Sequence, residues 1–371
     1  MEDLLTNILA CPVCAGDLVE DGDTLTCAAD GIVARKKLGI FDFLINEEIL
    51  PVAADGQFGL AGDEIGAKEV FDRFETHGFR ELQRFLAEKD LADAPKTKIE
   101  ARAVERFHKR YAKMDSEIGL DAGKSIFNRV NPYLQSKDLP VLGGNIALEA
   151  GGGHGRHLPS FAKHFEKVVF VDCSLLNLLM GKKLASEVGL ADKVAFVRAD
   201  ATALPFKPKT FDFVHESGVI EHVFEPQKLI SEALRVLSDT GNYVCLSPNK
   251  YPLSPEPHFH LPLFGAFPKS LRKYIIRGTR GIDNEEGTDL LSLWRLKREF
   301  RIAGERNADP YFLPRQLPET TRKSFVRGLV HSSFQLPGVG AVANFLLNRL
   351  FLPIMPYHIV VISGSERAKA R

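Results

Sequence analysis

The chain has 371 residues, enough for a catalytic domain with a smaller appendage and short for three domains. Hydrophobic residues make up 44% and charged residues 26%, a balance that excludes a disordered or fibrous chain. Lys plus Arg and Asp plus Glu are equal at 48 each, so no global field gathers a polyanion such as nucleic acid.

Met1 to Ala10 carries Glu2 and Asp3 and no basic start, so it does not read as a secretory leader, and a cytoplasmic protein is expected. Five cysteines, two of them in a Cys-x-x-Cys, point to a reduced compartment and a metal or redox role rather than to disulfides. Cys11-Pro-Val-Cys14 and Cys27-Ala-Ala-Asp30 have the spacing of a zinc ribbon, with an acid where the fourth cysteine is usual. Three thiolates and a carboxylate suffice for tetrahedral zinc; the alternative is a degenerate ribbon held by packing alone. A redox dithiol would open a helix after a strand, and this pair does not. Residues 8–44, ending in Gly-Ile-Phe-Asp-Phe-Leu, resemble the Trm112-like zinc ribbon. Residues 1–45 are expected to form this module, and 46–62, with Pro51, Gly56, Gly59 and Gly62, a linker.

Over 63–140 the apolar spacing turns helical. Val70, Phe71, Phe74, Leu82, Phe85 and Leu86 are expected on one face, and Val104, Phe107, Tyr111, Met114 and Ile118 step by three and four. These read as covering helices or as part of a lid over a substrate.

From Asn145 strands and helices alternate for about a hundred residues. Strands are expected at 146–148, 168–171, 194–197, 211–214 and 243–246, and helices at 158–165, 174–188 and 226–237. Short, uniformly apolar strands between helices predict a parallel sheet covered on both faces. Pro356 to Ser363 reads as a last strand, antiparallel to the rest.

Glu149-Ala-Gly-Gly-Gly-His-Gly155 lies between a strand and a helix, where absent Cβ atoms let backbone approach a ligand. Taken alone the run serves a dinucleotide equally well. Asp172, ending the second strand, is placed to accept both hydroxyls of a ribose, and Asp200, after the third, an adenine amine. Glu149 suits the ammonium of an amino acid and would repel a pyrophosphate. Together these describe adenosine joined to an amino acid.

Residues 146–248 resemble the class I S-adenosylmethionine-dependent methyltransferases, through Glu-x-Gly-x-Gly-x-Gly at 149–155, Phe-Val-Asp-Cys-Ser at 170–174, Arg-Ala-Asp-Ala at 198–201, Phe-Asp-Phe-Val at 211–214 and Val-Ile-Glu-His-Val at 219–223. The resemblance implies an α/β fold with a doubly wound, mostly parallel, seven-stranded Rossmann-like sheet over 141–365. It further implies that Gly151, Gly153 and Gly155 cradle the methionine part, Asp172 holds the ribose, Asp200 and Ala201 meet the adenine, and Glu216 and Ser217 border the sulfonium.

His222 is a candidate general base or a structural residue at a helix start. After the fifth strand, Ser247 to His260 form a Pro-rich insertion that would shape the acceptor pocket, within an insertion over about 248–345. It resembles a segment of methyltransferases of glycan and natural-product pathways. His258 and His260 in it are candidate bases or metal ligands, or pack within the loop. Residues 269–327 hold 14 basic against 8 acidic side chains, a +6 excess suited to an anionic acceptor. The 21 residues from Gly328 to Asn348 lack formal charge and offer a peripheral membrane contact rather than a span.

The reading is methyl transfer to an oxygen, or else a nitrogen, of a small-molecule, glycan or lipid-linked acceptor. Methylation of ribosomal or transfer RNA with the ribbon as dock is the alternative, but residues 11–45 carry three basic against six acidic side chains, a net −3 that opposes phosphate. A cofactor-binding protein without turnover is the third reading.

Overall fold

The computed structural model describes residues 1–44, 60–93, 124–252, 261, 264–280, 289–306, 308, 310 and 357–370. Ten strands form one sheet in the order β1-β2-β3-β4-β7-β6-β5-β8-β9-β10. Strands β5 (Gly144–Ala150), β6 (Phe165–Asp172), β7 (Val194–Arg198), β8 (Phe211–Ser217) and β9 (Leu237–Pro248) are parallel, and β10 (Tyr357–Ser363) closes one edge antiparallel to β9. Each expected strand is present, most of them longer than the apolar run that announced it.

The N-terminal module is built from helix α1 (Glu2–Ile8) and strands β1 (Leu18–Asp21), β2 (Thr24–Cys27), β3 (Val33–Lys37) and β4 (Ile40–Asp42). It is more than an appendage. Strand β4 pairs in parallel with β7, Phe41 opposite Val197 and Asp42 opposite Arg198, and the Phe43 N–H donates to the Arg198 carbonyl at 2.7 Å. The seven-stranded, mostly parallel part therefore runs β4-β7-β6-β5-β8-β9-β10, and its seventh strand comes from the ribbon. The sequence signal for the ribbon ends in three residues, Ile40 to Asp42, too short a run to announce a pairing partner more than 150 residues away.

Helices cover both faces. On one, α7 (Pro226–Val236) buries Leu229, Ile230, Ala233 and Leu234 at steps of one, three and four, and α9 (Leu293–Ile302) adds Leu296 and Phe300. Leu25, Phe41 and Phe43 of the ribbon join this same core. The other face carries α2 (Leu60–Arg73), α3 (Phe79–Asp93), α4 (Lys124–Gln135), α5 (Leu158–His164) and α6 (Leu175–Glu187). The expected single apolar face over 70–86 is two helices joined by a turn. Val70 and Leu82 are buried, whereas Phe71, about 100° around the helix from Val70, is 44% exposed. A 3-10 helix (Phe264–Ala266) and helices α8 (Lys269–Arg280) and α10 (Gly364–Ala370) complete the described elements. The residues from Val104 to Ile118, His258, His260 and the run from Gly328 to Asn348 lie outside the described residues.

Candidate functional site

Parallel strands bring Ala150, Asp172, Arg198 and Ser217 to one carboxyl edge of the sheet, where open α/β folds hold ligands. The chain leaves β5 through Gly151, at φ +72°, whose N–H donates to the Val171 carbonyl at 2.7 Å. A Cβ on Gly151 would stand 2.3 Å from the Val219 side chain, so this turn admits glycine only. Gly153, at φ +52°, faces open space instead. Its N–H donates to Asp172 Oδ2 at 2.9 Å, while Asp172 Oδ1 accepts from the Ser174 N–H at 2.9 Å and from Asn177 at 3.3 Å. Burial pushes the Asp172 carboxyl up, and these donors hold it back.

A cavity of about 330 Å³ opens against this loop. Gly151, Gly153, Glu149 and Ser217, all expected at the cofactor, line it, together with His154 and Arg156 of the loop. Phe79 and Gln83 of α3 and Asn177 and Leu184 of α6 form the opposite wall. Burial brings the His154 imidazole down to about 4, so it is neutral at physiological pH. Gly155, Asp172, Asp200, Ala201 and Glu216 lie off this lining. Asp200 holds the following turn, accepting from the Thr202 N–H at 2.8 Å and from its hydroxyl at 2.6 Å, with Ala201 buried beside it.

Three expectations change. Glu149 does not offer a free acid: Oε1 takes His157 Nδ1 at 2.9 Å and Oε2 takes His215 Nδ1 at 2.6 Å, all three side chains being buried. Burial alone would raise the Glu149 carboxyl, but the charge and hydrogen bonds of His215 and His157 bring it down to about 2. Glu216 does not border the cavity, because successive strand residues point to opposite faces. It faces Tyr243, whose hydroxyl lies 3.5 Å away, and burial raises its carboxyl to about 7. His222 sits on a turn four residues before α7, not at the helix start, with its Nε2 4.0 Å from Glu221 Oε1.

Behind the site is a buried arginine whose sequence signal is a single basic residue ending an apolar strand. The Arg198 side chain, 1% exposed, donates to the Cys173 carbonyl at 2.9 Å, to Asp42 at 3.1 Å, to Glu64 at 3.3 Å and to Asp63 at 3.2 Å. Asp63 in turn caps α6, accepting from the Ser174 hydroxyl at 2.5 Å and from the Leu175 N–H at 2.8 Å. One guanidinium thus ties the ribbon, α2 and the turn after Asp172 together. Nothing in local spacing announces contacts between residues 135 and 156 positions apart.

In the ribbon, Cys14 Sγ and Cys27 Sγ stand 3.7 Å apart, and Asp30 Oδ2 lies 3.2 Å from Cys11 Sγ and 3.4 Å from Cys27 Sγ. A tetrahedral zinc with Zn–S of about 2.3 Å sets its sulfurs roughly 3.8 Å apart, so this donor set fits the ion. The hydrogen bond to Asp30 pushes the Cys14 thiol up to about 12.

Residues 148–245 match the methyltransferase domain family, and residues 2–33 match the family of Trm112p-like proteins. Residues 148–245 are thus a methyltransferase-family domain, and residues 2–33 before it a Trm112p-like module. It is 30% identical over 146 residues to a demethylmenaquinone methyltransferase of Renibacterium salmoninarum, covering 39% of this chain and 54% of that protein. It is 33% identical over 111 residues to a ubiquinone/menaquinone biosynthesis C-methyltransferase, UbiE, of Roseobacter denitrificans, covering 29% of this chain and 44% of that one. The chain thus spans about half the length of these relatives. A complex between the Haloferax volcanii Trm112 methyltransferase activator and a methyltransferase aligns at a TM-score of 0.40 and 15% identity, over 73% of this chain and 99% of that one.

Proposed function

We propose that this chain is an S-adenosylmethionine-dependent methyltransferase acting on a small-molecule, glycan or lipid-linked acceptor. The observation that carries the reading is the cavity on the glycine loop, with Gly153 open to it and Asp172 at the neighbouring strand end. Gly151, Gly153 and Gly155 would cradle the methionine part, Asp172 the ribose, and Asp200 with Ala201 the adenine; the bound cofactor supplies an electrophilic methyl group. The protein's share is to orient the acceptor, exclude water and remove a proton, which needs no nucleophilic side chain. An acceptor oxygen is our first reading and nitrogen our second; carbon enters through the names of the relatives. His222, 33% exposed, is the candidate base within the described residues, and His258 and His260 are the candidates on the insertion.

The Trm112-like module serves the methyltransferase domain from within the same chain. The pairing of β4 with β7 and the net −3 charge of residues 11–45, three basic against six acidic, support this over RNA docking. Zinc on Cys11, Cys14, Cys27 and Asp30 would hold the module, and metal analysis of the purified protein should return one zinc per chain. Methyl-labelled donor offered with an extract split into RNA, lipid and small-molecule pools tests the acceptor class. Label in the lipid or small-molecule pool is expected, and label confined to RNA contradicts the reading.

A further inference from the structure

We infer that Gln83 and Arg156 recognise the amino-acid end of the methyl donor, an inference that rests on the function proposed above. Glu149, the expected partner for a ligand ammonium, already accepts from His157 and His215, one on each carboxylate oxygen, and is itself only 1% exposed. Gln83 fills that place. It stands on α3 across the cavity from the glycine loop, is 7% exposed, and its Oε1 is buried without a hydrogen-bond partner. A buried carbonyl oxygen left unmatched in the empty protein is a group for which a ligand donor is the natural complement. Arg156 lines the same cavity from the loop side and is exposed there, so it presents a fixed positive charge where an incoming carboxylate arrives. The cavity lies against Gly151 to Gly153, the methionine half of the site, and leaves Asp200 and Ala201 of the adenine half outside it. An ammonium on Gln83 Oε1 and a carboxylate on Arg156 therefore orient one zwitterion between α3 and the loop. Helix α3 belongs to the covering segment, so the covering helix closes the donor's tail rather than the acceptor.

Titrating S-adenosylhomocysteine and methylthioadenosine, which lacks the amino-acid end, into the full chain and into Gln83→Leu and Arg156→Gln tests this. Each variant should lose about tenfold in affinity for S-adenosylhomocysteine, the size of one hydrogen bond to a charged group, and keep its affinity for methylthioadenosine. Retained methylthioadenosine binding also reports that the variant is folded. Equal losses for both ligands would make Gln83 a packing residue and overturn the inference, as would no loss for either. Wild-type protein that binds neither ligand would instead bring down the methyl-donor reading and this inference with it.

Discussion

Glu149 keeps its charge although only 1% of it is exposed, because His157 and His215 each direct a ring nitrogen at one of its oxygens. Its carboxyl falls from an ordinary 4.5 to about 2, so the folded state releases this proton more readily than the unfolded chain. The stability it adds is present above about pH 4.5 and is lost as pH falls toward 2. Glu216 and Glu221 act in the opposite sense: burial raises them to about 7 and about 8, so their contribution is full below 4.5 and is lost as pH rises through 7 to 8. Unfolding temperatures measured from pH 5 to 8.5 should therefore decline for the wild type and decline less for Glu216→Gln. A variant as pH-sensitive as the wild type would show that Glu216 is ionised in the fold. With Asp172 in its proposed role as acceptor of the two ribose hydroxyls, Asp172→Asn should weaken S-adenosylmethionine binding roughly 10- to 100-fold by titration. The positions of Asp172 and the glycines could be read from the sequence because strand, turn and helix rules act over a few residues. The commitment of Glu149 could not, since His215 reaches it from a strand 66 residues on.

The strands and helices of 144–248 follow the apolar pattern closely, because buried parallel strands announce themselves as short uniform runs. The ribbon strand β4 is the exception: three residues, Ile40 to Asp42, extend the central sheet, and only their partner β7 gives them that role. Arg198 secures the joint with Asp42 and Asp63; without it Asp63 would keep its hydrogen bonds from Ser174 and Leu175 but lose this buried cation, and Asp42 would keep Lys37 at 3.1 Å. Arg198→Leu should cost on the order of 3–5 kcal/mol in denaturant unfolding, the penalty for breaking a buried pair from one side. A cost below 1 kcal/mol would mean that water reaches these acids.

At the scale of the molecule, ribbon and catalytic domain share one sheet and one apolar core, with Leu25, Phe41 and Phe43 packed among residues of β5 to β9. A strong chelator, by removing the zinc proposed for Cys11, Cys14, Cys27 and Asp30, should thus lower the unfolding temperature of the whole chain in one transition. Two separate transitions would make the ribbon an independent unit. Among the described residues no helix is long and apolar enough to cross a membrane. The proposed function requires a sulfonium donor held by the glycine loop, a loop whose sequence alone serves a dinucleotide as well. Calorimetric titration of S-adenosylmethionine and, separately, NAD into the protein decides between them: we predict one saturable site per chain for S-adenosylmethionine and no heat with NAD, and saturable NAD binding with none for S-adenosylmethionine would contradict the account.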